Sequence, residues 1–170
     1  MKSLIIHHWM RSLAILLAGV TLSLSVANPG ACEVSAKAKD DATTQSIDTL
    51  KQSEQRWIQI DLSKQRLIAW EGKKPVYAIT ISTGKKSTPT RIGTFKIQTK
   101  LKSTRMRGRD YDVPDVPYAM FYQGSYGIHG AYWHRRFGTP VSHGCVNVAP
   151  DHAKWLFNWA SVGTSVFIHR

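Results

Sequence analysis

Two residues in the last third of the chain could together do covalent chemistry. Cys145 is the one cysteine after residue 32, and it follows Ser142, His143 and Gly144. His129 comes earlier in the chain and is also followed by a glycine. A thiol beside an imidazole is a nucleophile–base pair, because the ring takes the thiol proton or, when charged, lowers the thiol pKa below its free value near ~8.5. This pair predicts nucleophilic catalysis, with the backbone N–H groups of Gly144 and Cys145 as an oxyanion hole.

The same residues allow two other interpretations, an inert cysteine and a metal site. A lone cysteine can also be an inert, small apolar core residue, although a Ser-His-Gly turn is a poor place to bury one. A metal site would use His129, His134, His143 and Cys145. Zinc sites favour tight pairs such as C-x2-C, and no second cysteine or nearby carboxylate completes such a set here. We therefore expect no metal and no cofactor.

The nucleophile and its base must be held by neighbouring strands, and the surrounding pattern predicts a mainly β domain. Apolar and polar residues alternate from Trp57 to Leu62, and strand-like segments recur at 66–70, 76–82 and 93–99. Further short strands are predicted at 118–122, 126–129, 145–148 and 165–168. Two of these, joined by one loop, would bring residues 129 and 145 side by side.

Two segments of this domain break the strand pattern. After Pro150, four residues at helical spacing predict one short amphipathic helix that ends at Gly163: Ala153, Leu156, Phe157 and Ala160. Residues 100–117 combine five cations with two prolines and predict an irregular basic loop. Its cations would either contact substrate carboxylates or form a solvated surface.

The start of the chain, from Met1 to Ala27, predicts an export signal. A basic start is followed by an apolar run from Leu13 to Ala27, and no acidic residue occurs before Glu33. This order is typical of a secretory signal peptide, and the run is short for a membrane span, which needs about 20 residues. We expect cleavage after Ala27 and a periplasmic or wall location. The alternatives are an uncleaved N-terminal anchor and lipidation of Cys32. Only in these two cases would the protein be attached to a membrane.

Composition divides the remaining chain into a tether and a domain. Residues 28–55 show no apolar period and predict a linker, with at most a short helix near 46–55, and residues 56–170 predict the catalytic domain. Residues 28–54 carry a net charge of −2, whereas residues 55–170 carry 18 cations and six anions. In an exported protein, such a basic domain suits an anionic wall polymer, anionic lipid or extracellular nucleic acid as partner, and a basic surface that only keeps the protein soluble fits the charge equally well. Nucleic acid is not expected, because no zinc finger or aromatic RNA-binding motif is present.

The residues from His129 to Asn147 resemble the signature of a known family. His129-Gly130, a spacer and then Ser-His-Gly-Cys-Val-Asn ending at Asn147 are similar to the motif of the L,D-transpeptidase catalytic domain (YkuD family). The runs at 65–70, 82–84 and 88–95 also resemble that family. The resemblance covers about residues 56–169.

This resemblance implies a mixed β-sandwich and an enzyme that acts on peptidoglycan stem peptides. Cys145 would attack the carbonyl of the third stem residue and expel the terminal D-Ala. His129, oriented by the carbonyl of Gly130, would serve as base and then as acid. The thioester would pass to an amine of a neighbouring stem peptide, which gives a 3→3 crosslink.

The resemblance also implies supporting roles around this pair. Ser142 and His143 would shape the pocket, and Asn147 would hold the nucleophile strand. Four residues are candidates for the substrate cleft, with ordinary packing as the alternative for each: Tyr118, Met120, Tyr126 and Trp133. An L,D-carboxypeptidase or endopeptidase with the same Cys–His pair, or a wall-binding module without catalysis, remain the alternative functions.

Overall fold

The computed structural model describes residues 29–170, with side chains from residue 41 onward, as nine strands and two helices. The predicted signal peptide at 1–27 and the side chain of Cys32 lie outside these described parts. The elements in chain order are α1 (Pro29–Gln52), β1 (Arg56–Asp61), β2 (Arg66–Glu71), β3 (Lys74–Thr80), β4 (Gly93–Lys96), β5 (Thr99–Arg107), β6 (Asp112–Gln123), β7 (Tyr126–Gly130), β8 (Val146–Val148), α2 (Pro150–Trp159) and β9 (Ser165–His169).

The strands form two sheets. The first has five strands in the order β3-β2-β1-β9-β4, and the second has four in the order β5-β6-β7-β8. Apolar side chains from both sheets and from α2 share one core, which includes Ile58, Leu67, Ile128, Val146 and Leu156. The prediction of a mainly β sandwich with one short helix near the C-terminus is confirmed.

The segment predicted as a linker is helical instead. α1 runs from Pro29 to Gln52, so its helix begins well before the one expected near 46–55. Residues 31–52 contain neither glycine nor proline and several good helix formers, which explains why a helix forms without an apolar period. Neither this helix nor α2 is long and apolar enough to cross a membrane.

The predicted basic loop at 100–117 is a β-hairpin. β5 pairs with β6 antiparallel, from Thr99 opposite Phe121 to Arg107 opposite Asp112. The prolines that suggested a loop, at 114 and 117, lie where β6 extends beyond β7, so β6 has a neighbour on one side only. A proline is tolerated there because no second strand needs its missing N–H.

The chain after β3 connects the two sheets at the end of β8. Ser82 forms an isolated antiparallel bridge with Asn147, and Gly84 forms a parallel bridge with Ser142. β8 pairs in parallel with β7, so that His129 lies opposite Asn147. These three segments therefore meet around the residue that precedes β8, which is Cys145.

Candidate active site

His129 on β7 and Cys145, directly before the adjacent strand β8, line one cavity of about 370 Å³. The parallel register places Ile128 opposite Val146, the residue that follows Cys145. Ser142, His143 and Asn147 line the same cavity, so the structure brings together the residues that the sequence singled out. No cluster of three or more ligand-type side chains that could hold a metal occurs among the described residues.

The buried ring of His129 is held in one orientation by a backbone carbonyl. Its Nδ1 lies 3.0 Å from the carbonyl oxygen of Gly130, the contact that the resemblance implied. The carbonyl can only accept, so Nδ1 carries the proton and Nε2 is left with a lone pair. Burial lowers the pKa of His129 to about 4. The ring is therefore neutral at pH 7 and able to take a proton.

The thiol of Cys145 is also neutral at rest. Burial raises the pKa of Cys145, and its Sγ donates a hydrogen bond to the carbonyl oxygen of Ser125 at 3.4 Å. The sequence predicted a thiolate whose pKa is lowered by a nearby imidazolium, and the pKa shifts of Cys145 and His129 contradict such a resting ion pair. The opposite shifts of the two pKa values favour a neutral thiol and a neutral ring, which suits proton transfer during attack rather than a resting ion pair.

The turn before Cys145 is closed by the hydroxyl of Ser142. This hydroxyl donates to the carbonyl oxygen of Cys145 at 2.5 Å and accepts from the N–H of Gly144 at 3.1 Å. Of the two N–H donors expected for the oxyanion hole, that of Gly144 is already hydrogen-bonded to Ser142, which leaves the N–H of Cys145. Gly144 has φ of 116°, and a Cβ there would lie 2.7 Å from Cε1 of Tyr126, so the turn requires glycine.

Two threonines of the loop after β3 hold the same turn, and their role was missed at the level of sequence. Thr90 Oγ1 donates to the carbonyl oxygen of Gly144 at 2.9 Å and accepts from the N–H of Gly84 at 2.9 Å. Thr88 Oγ1 donates to the carbonyl oxygen of Ser142 at 3.0 Å. Both threonines belong to the run at 88–95 that resembles the family. Their hydrogen bonds to the nucleophile turn become visible only in the folded structure, where this loop lies against the turn.

The β5–β6 hairpin forms one wall of the cavity. Tyr111 stacks on the ring of His143, with centroids 4.8 Å apart, and both line the cavity. His143 Nε2 lies 3.1 Å from Asp110 Oδ2, and its hydrogen bond lowers the pKa of that carboxyl. Met106 and Val113 add apolar surface to the same wall. The segment predicted as a loop therefore contributes to the site through uncharged side chains that line the cavity and through Asp110, which contacts His143.

Of the four predicted cleft residues, only Trp133 lines the cavity, where its ring stacks on His129 with centroids 5.8 Å apart. Met120 is fully buried in the core, so it cannot contact a ligand. Tyr118 packs against Phe157 on α2. Tyr126 lies behind Gly144, beneath the guanidinium of Arg91. The assignment of Met120 to the cleft is therefore wrong, because strand alternation directs its side chain into the core. A substrate contact of Tyr118 or Tyr126, both partly exposed, stays a prediction.

Asn147 is buried and links β8 to two neighbouring segments. Its backbone exchanges two hydrogen bonds with Ser82, at 2.9 and 2.7 Å. Its side-chain Nδ2 lies 2.9 Å from Nε2 of His134. At the level of sequence, His134 was considered only as a metal ligand, and that site was not expected. The backbone pairing agrees with the expectation that Asn147 holds the nucleophile strand.

Comparison with known proteins gives a consistent result. The family model of the L,D-transpeptidase catalytic domain (YkuD) matches residues 55–168. L,D-transpeptidase 1 of Mycobacterium tuberculosis is 34% identical over 98 residues, which are 50% of this chain and 39% of that protein. The chain therefore spans about two fifths of the length of this relative.

Solved structures resemble the fold over the same region. An L,D-transpeptidase from Mycobacterium smegmatis matches with a TM-score of 0.64 at 25% identity, over 68% of this chain and 59% of that one. The L,D-transpeptidase LdtMt1 in complex with imipenem matches with a TM-score of 0.63 at 27% identity, over 67% of this chain and 58% of that one.

Proposed function

The chain belongs to the L,D-transpeptidase catalytic domain family, and from that premise we propose that it is an L,D-transpeptidase of peptidoglycan stem peptides. The observation that carries the proposal is the pair formed by His129 on β7 and Cys145 directly before β8, which line one cavity. The thiol and the ring are both neutral, and Nδ1 of the ring faces a carbonyl, so Nε2 is the basic atom.

The acylation step follows from this arrangement. Nε2 of His129 takes the thiol proton while Sγ of Cys145 bonds to the carbonyl carbon of the third stem residue. The tetrahedral intermediate then expels the amine of the terminal D-Ala, which receives the proton from His129. A thioester on Cys145 and a neutral ring remain. Because the N–H of Gly144 is already bonded to Ser142, the N–H of Cys145 is the donor that we assign to the oxyanion.

The second half of the reaction repeats these roles with an acceptor amine from a neighbouring stem peptide. His129 takes a proton from the amine as its nitrogen attacks the thioester, and the Cys145 thiolate leaves and regains a proton. The product is a 3→3 crosslink. Water in place of the amine would give carboxypeptidase activity from the same intermediate.

A transfer assay tests this function. Purified protein is incubated with a donor tetrapeptide and an amine acceptor, and products are measured by mass spectrometry. We expect a crosslinked dimer with loss of D-Ala, and no dimer from Cys145→Ala. Release of D-Ala without dimer would favour the hydrolase, whereas no reaction of a folded wild-type protein would contradict both and favour a binding module.

The location of the enzyme is proposed from the segment that ends at Ala27 and from the charge of the domain. This signal-like segment suits export, and a domain with 18 cations against six anions suits residence on an anionic wall polymer. Intact-mass measurement of exported protein is expected to give a chain that begins at residue 28. A chain that begins at Met1, or a lipid mass on Cys32, would contradict this cleavage.

A further inference from the structure

The cavity beside Cys145 carries one permanent positive charge that the proposed mechanism does not use. Among the described side chains that line it, Arg136 is the one arginine or lysine, and none is an aspartate or glutamate. Every ion pair between described residues involves another cation. Among the described residues, the guanidinium of Arg136 therefore has no carboxylate partner.

Two histidines that line the cavity have lowered pKa values. His129, with its pKa near 4, is neutral at pH 7. Burial, and next the charge of Arg136, lower the pKa of His134. His143 also lines the cavity, and its Nε2 lies 3.1 Å from Oδ2 of Asp110 and 3.2 Å from Nζ of Lys85, neither of which lines it. Among the described side chains that line the cavity, Arg136 is thus the one with a permanent charge.

The main chain of Arg136 is fixed relative to the nucleophile. Its N–H donates to Nδ1 of His134 at 3.2 Å, and its carbonyl oxygen accepts from Ser82 Oγ at 2.7 Å. Ser82 in turn exchanges two backbone hydrogen bonds with Asn147, the second residue after Cys145. Two hydrogen-bonded steps thus connect Arg136 to the strand that follows the nucleophile. Such anchoring fixes the backbone from which the exposed side chain of Arg136 extends.

We propose that Arg136 binds a carboxylate of the donor stem peptide and thereby selects donors with a free carboxylate near the scissile bond. This inference rests on the proposed transpeptidase function. A guanidinium binds a carboxylate through two parallel hydrogen bonds, which adds direction to charge attraction. The donor offers this group in two places within one residue of the scissile carbonyl. One is the C-terminus of the leaving D-Ala, and the other is the side chain of the third residue where that side chain carries a carboxylate.

Steady-state kinetics with matched donors tests the proposal and separates the two carboxylates. The donors are a tetrapeptide with both carboxylates free, two in which one or the other is an amide, and one in which both are amides. Arg136→Gln and Arg136→Lys are compared with Arg135→Gln. Arg135 is the matched control because it is an exposed neighbouring arginine that does not line the cavity.

For the free donor, we expect Arg136→Gln to raise KM by about tenfold or more with little change in kcat, the size of a lost charge-assisted hydrogen bond at an exposed site. Arg136→Lys should fall between this variant and wild type, and Arg135→Gln should resemble wild type. The effect should vanish for the donor with both groups amidated. The single amide that also abolishes it identifies the carboxylate bound.

Two results would overturn the inference while the proposed function stands. One is equal loss of activity by Arg136→Gln on every donor, amides included, which would indicate a structural role. The other is equal behaviour of the variants at 135 and 136 on an active enzyme. If wild-type protein turns over none of the donors, the proposed function is wrong and this inference is wrong with it.

Discussion

At the scale of single residues, the chemistry depends on two protonation states that burial sets in opposite directions. Burial raises the pKa of Cys145 and lowers that of His129 to about 4. Both shifts favour the uncharged form, as expected where water is excluded. A neutral pair avoids the cost of a buried ion pair at rest, and charge develops only when the substrate carbonyl is attacked.

The pKa of His129 predicts how covalent labelling depends on pH. We expect imipenem, which is bound in a solved relative, to acylate Cys145 at a steady rate from pH 7 down to about pH 5. The rate should fall as the pH drops through about 4, because His129 is then protonated and cannot take the thiol proton. Intact-mass kinetics across this range measure the rate.

One variant and one mapping measurement control that experiment. Cys145→Ser should give no adduct under the same conditions, and peptide mapping of wild type should place the adduct on Cys145. A rate that already halves near pH 6.5, about the ordinary value for histidine, would contradict a buried, neutral His129. An adduct on any other residue would contradict the assignment of the nucleophile.

At the scale of elements, the nucleophile turn is held mainly by the loop after β3. The carbonyl oxygens of Ser142 and Gly144 accept from Thr88 and Thr90, while the backbone of Lys85 donates to Ser142 at 3.1 Å. A Cβ at Gly84 would lie 2.2 Å from the carbonyl oxygen of Thr88, so this loop also needs glycine for its own close turn. A rigid loop therefore fixes an otherwise irregular turn.

The threonine at position 90 should be essential to this arrangement. Thr90→Val keeps the shape of the side chain but leaves the Gly144 carbonyl and the Gly84 N–H unbonded in a buried place. We expect a loss of about 1–3 kcal/mol in the free energy of unfolding. Slower acylation by imipenem should accompany it, because Gly144 is free to move. Denaturant unfolding and acylation kinetics measure the two effects.

The matched variant Thr90→Ser keeps the hydroxyl and should retain nearly all of the wild-type stability and rate. Wild-type behaviour of the valine variant together with a loss in the serine variant would show that the methyl group, and not the hydrogen bonds, stabilises the turn.

At the scale of the whole molecule, the domain is closed by its last strand. β9 lies between β1 and β4, in parallel with β1, so that Ser165 pairs with Trp57. Its side chains Val166 and Ile168 are fully buried in the shared core. Because the two ends of the domain pair with each other, the site can form only when nearly the whole of 56–169 is folded.

α1 lies outside that closed unit, and its removal should therefore cost little stability. None of its described side chains, at 41–52, is buried, and Lys51 Nζ lies 5.2 Å from the centroid of the Trp70 ring. We expect a chain that begins at residue 53 to unfold cooperatively with a Tm within a few degrees of the longer protein. It should also react with imipenem at the same rate.

Calorimetry of the two chains measures this difference. A loss of cooperative unfolding in the shorter chain would show that α1 is part of the fold, in contrast to the boundary predicted at residue 56.

The sequence by itself determined the nucleophile and base candidates, the mainly β architecture and the short helix α2. These are local properties: the spacing of Cys145 and His129, an alternation of period two, and helical spacing after Pro150. The pairing of β8 with β7 could also be predicted from the sequence, because a single loop joins these two parallel strands.

Only the tertiary structure decided which side chains face the cavity and which groups fix the turn. The sequence pattern placed Met120 in the cleft, but the pairing of β6 directs its side chain into the core. Tyr111 lines the cavity because the hairpin places its ring against His143. The hydrogen bonds of Thr90 to Gly144 and the place of Arg136 join segments that are far apart along the chain. Such contacts depend on strand register and sheet packing, which no local pattern of residue types encodes.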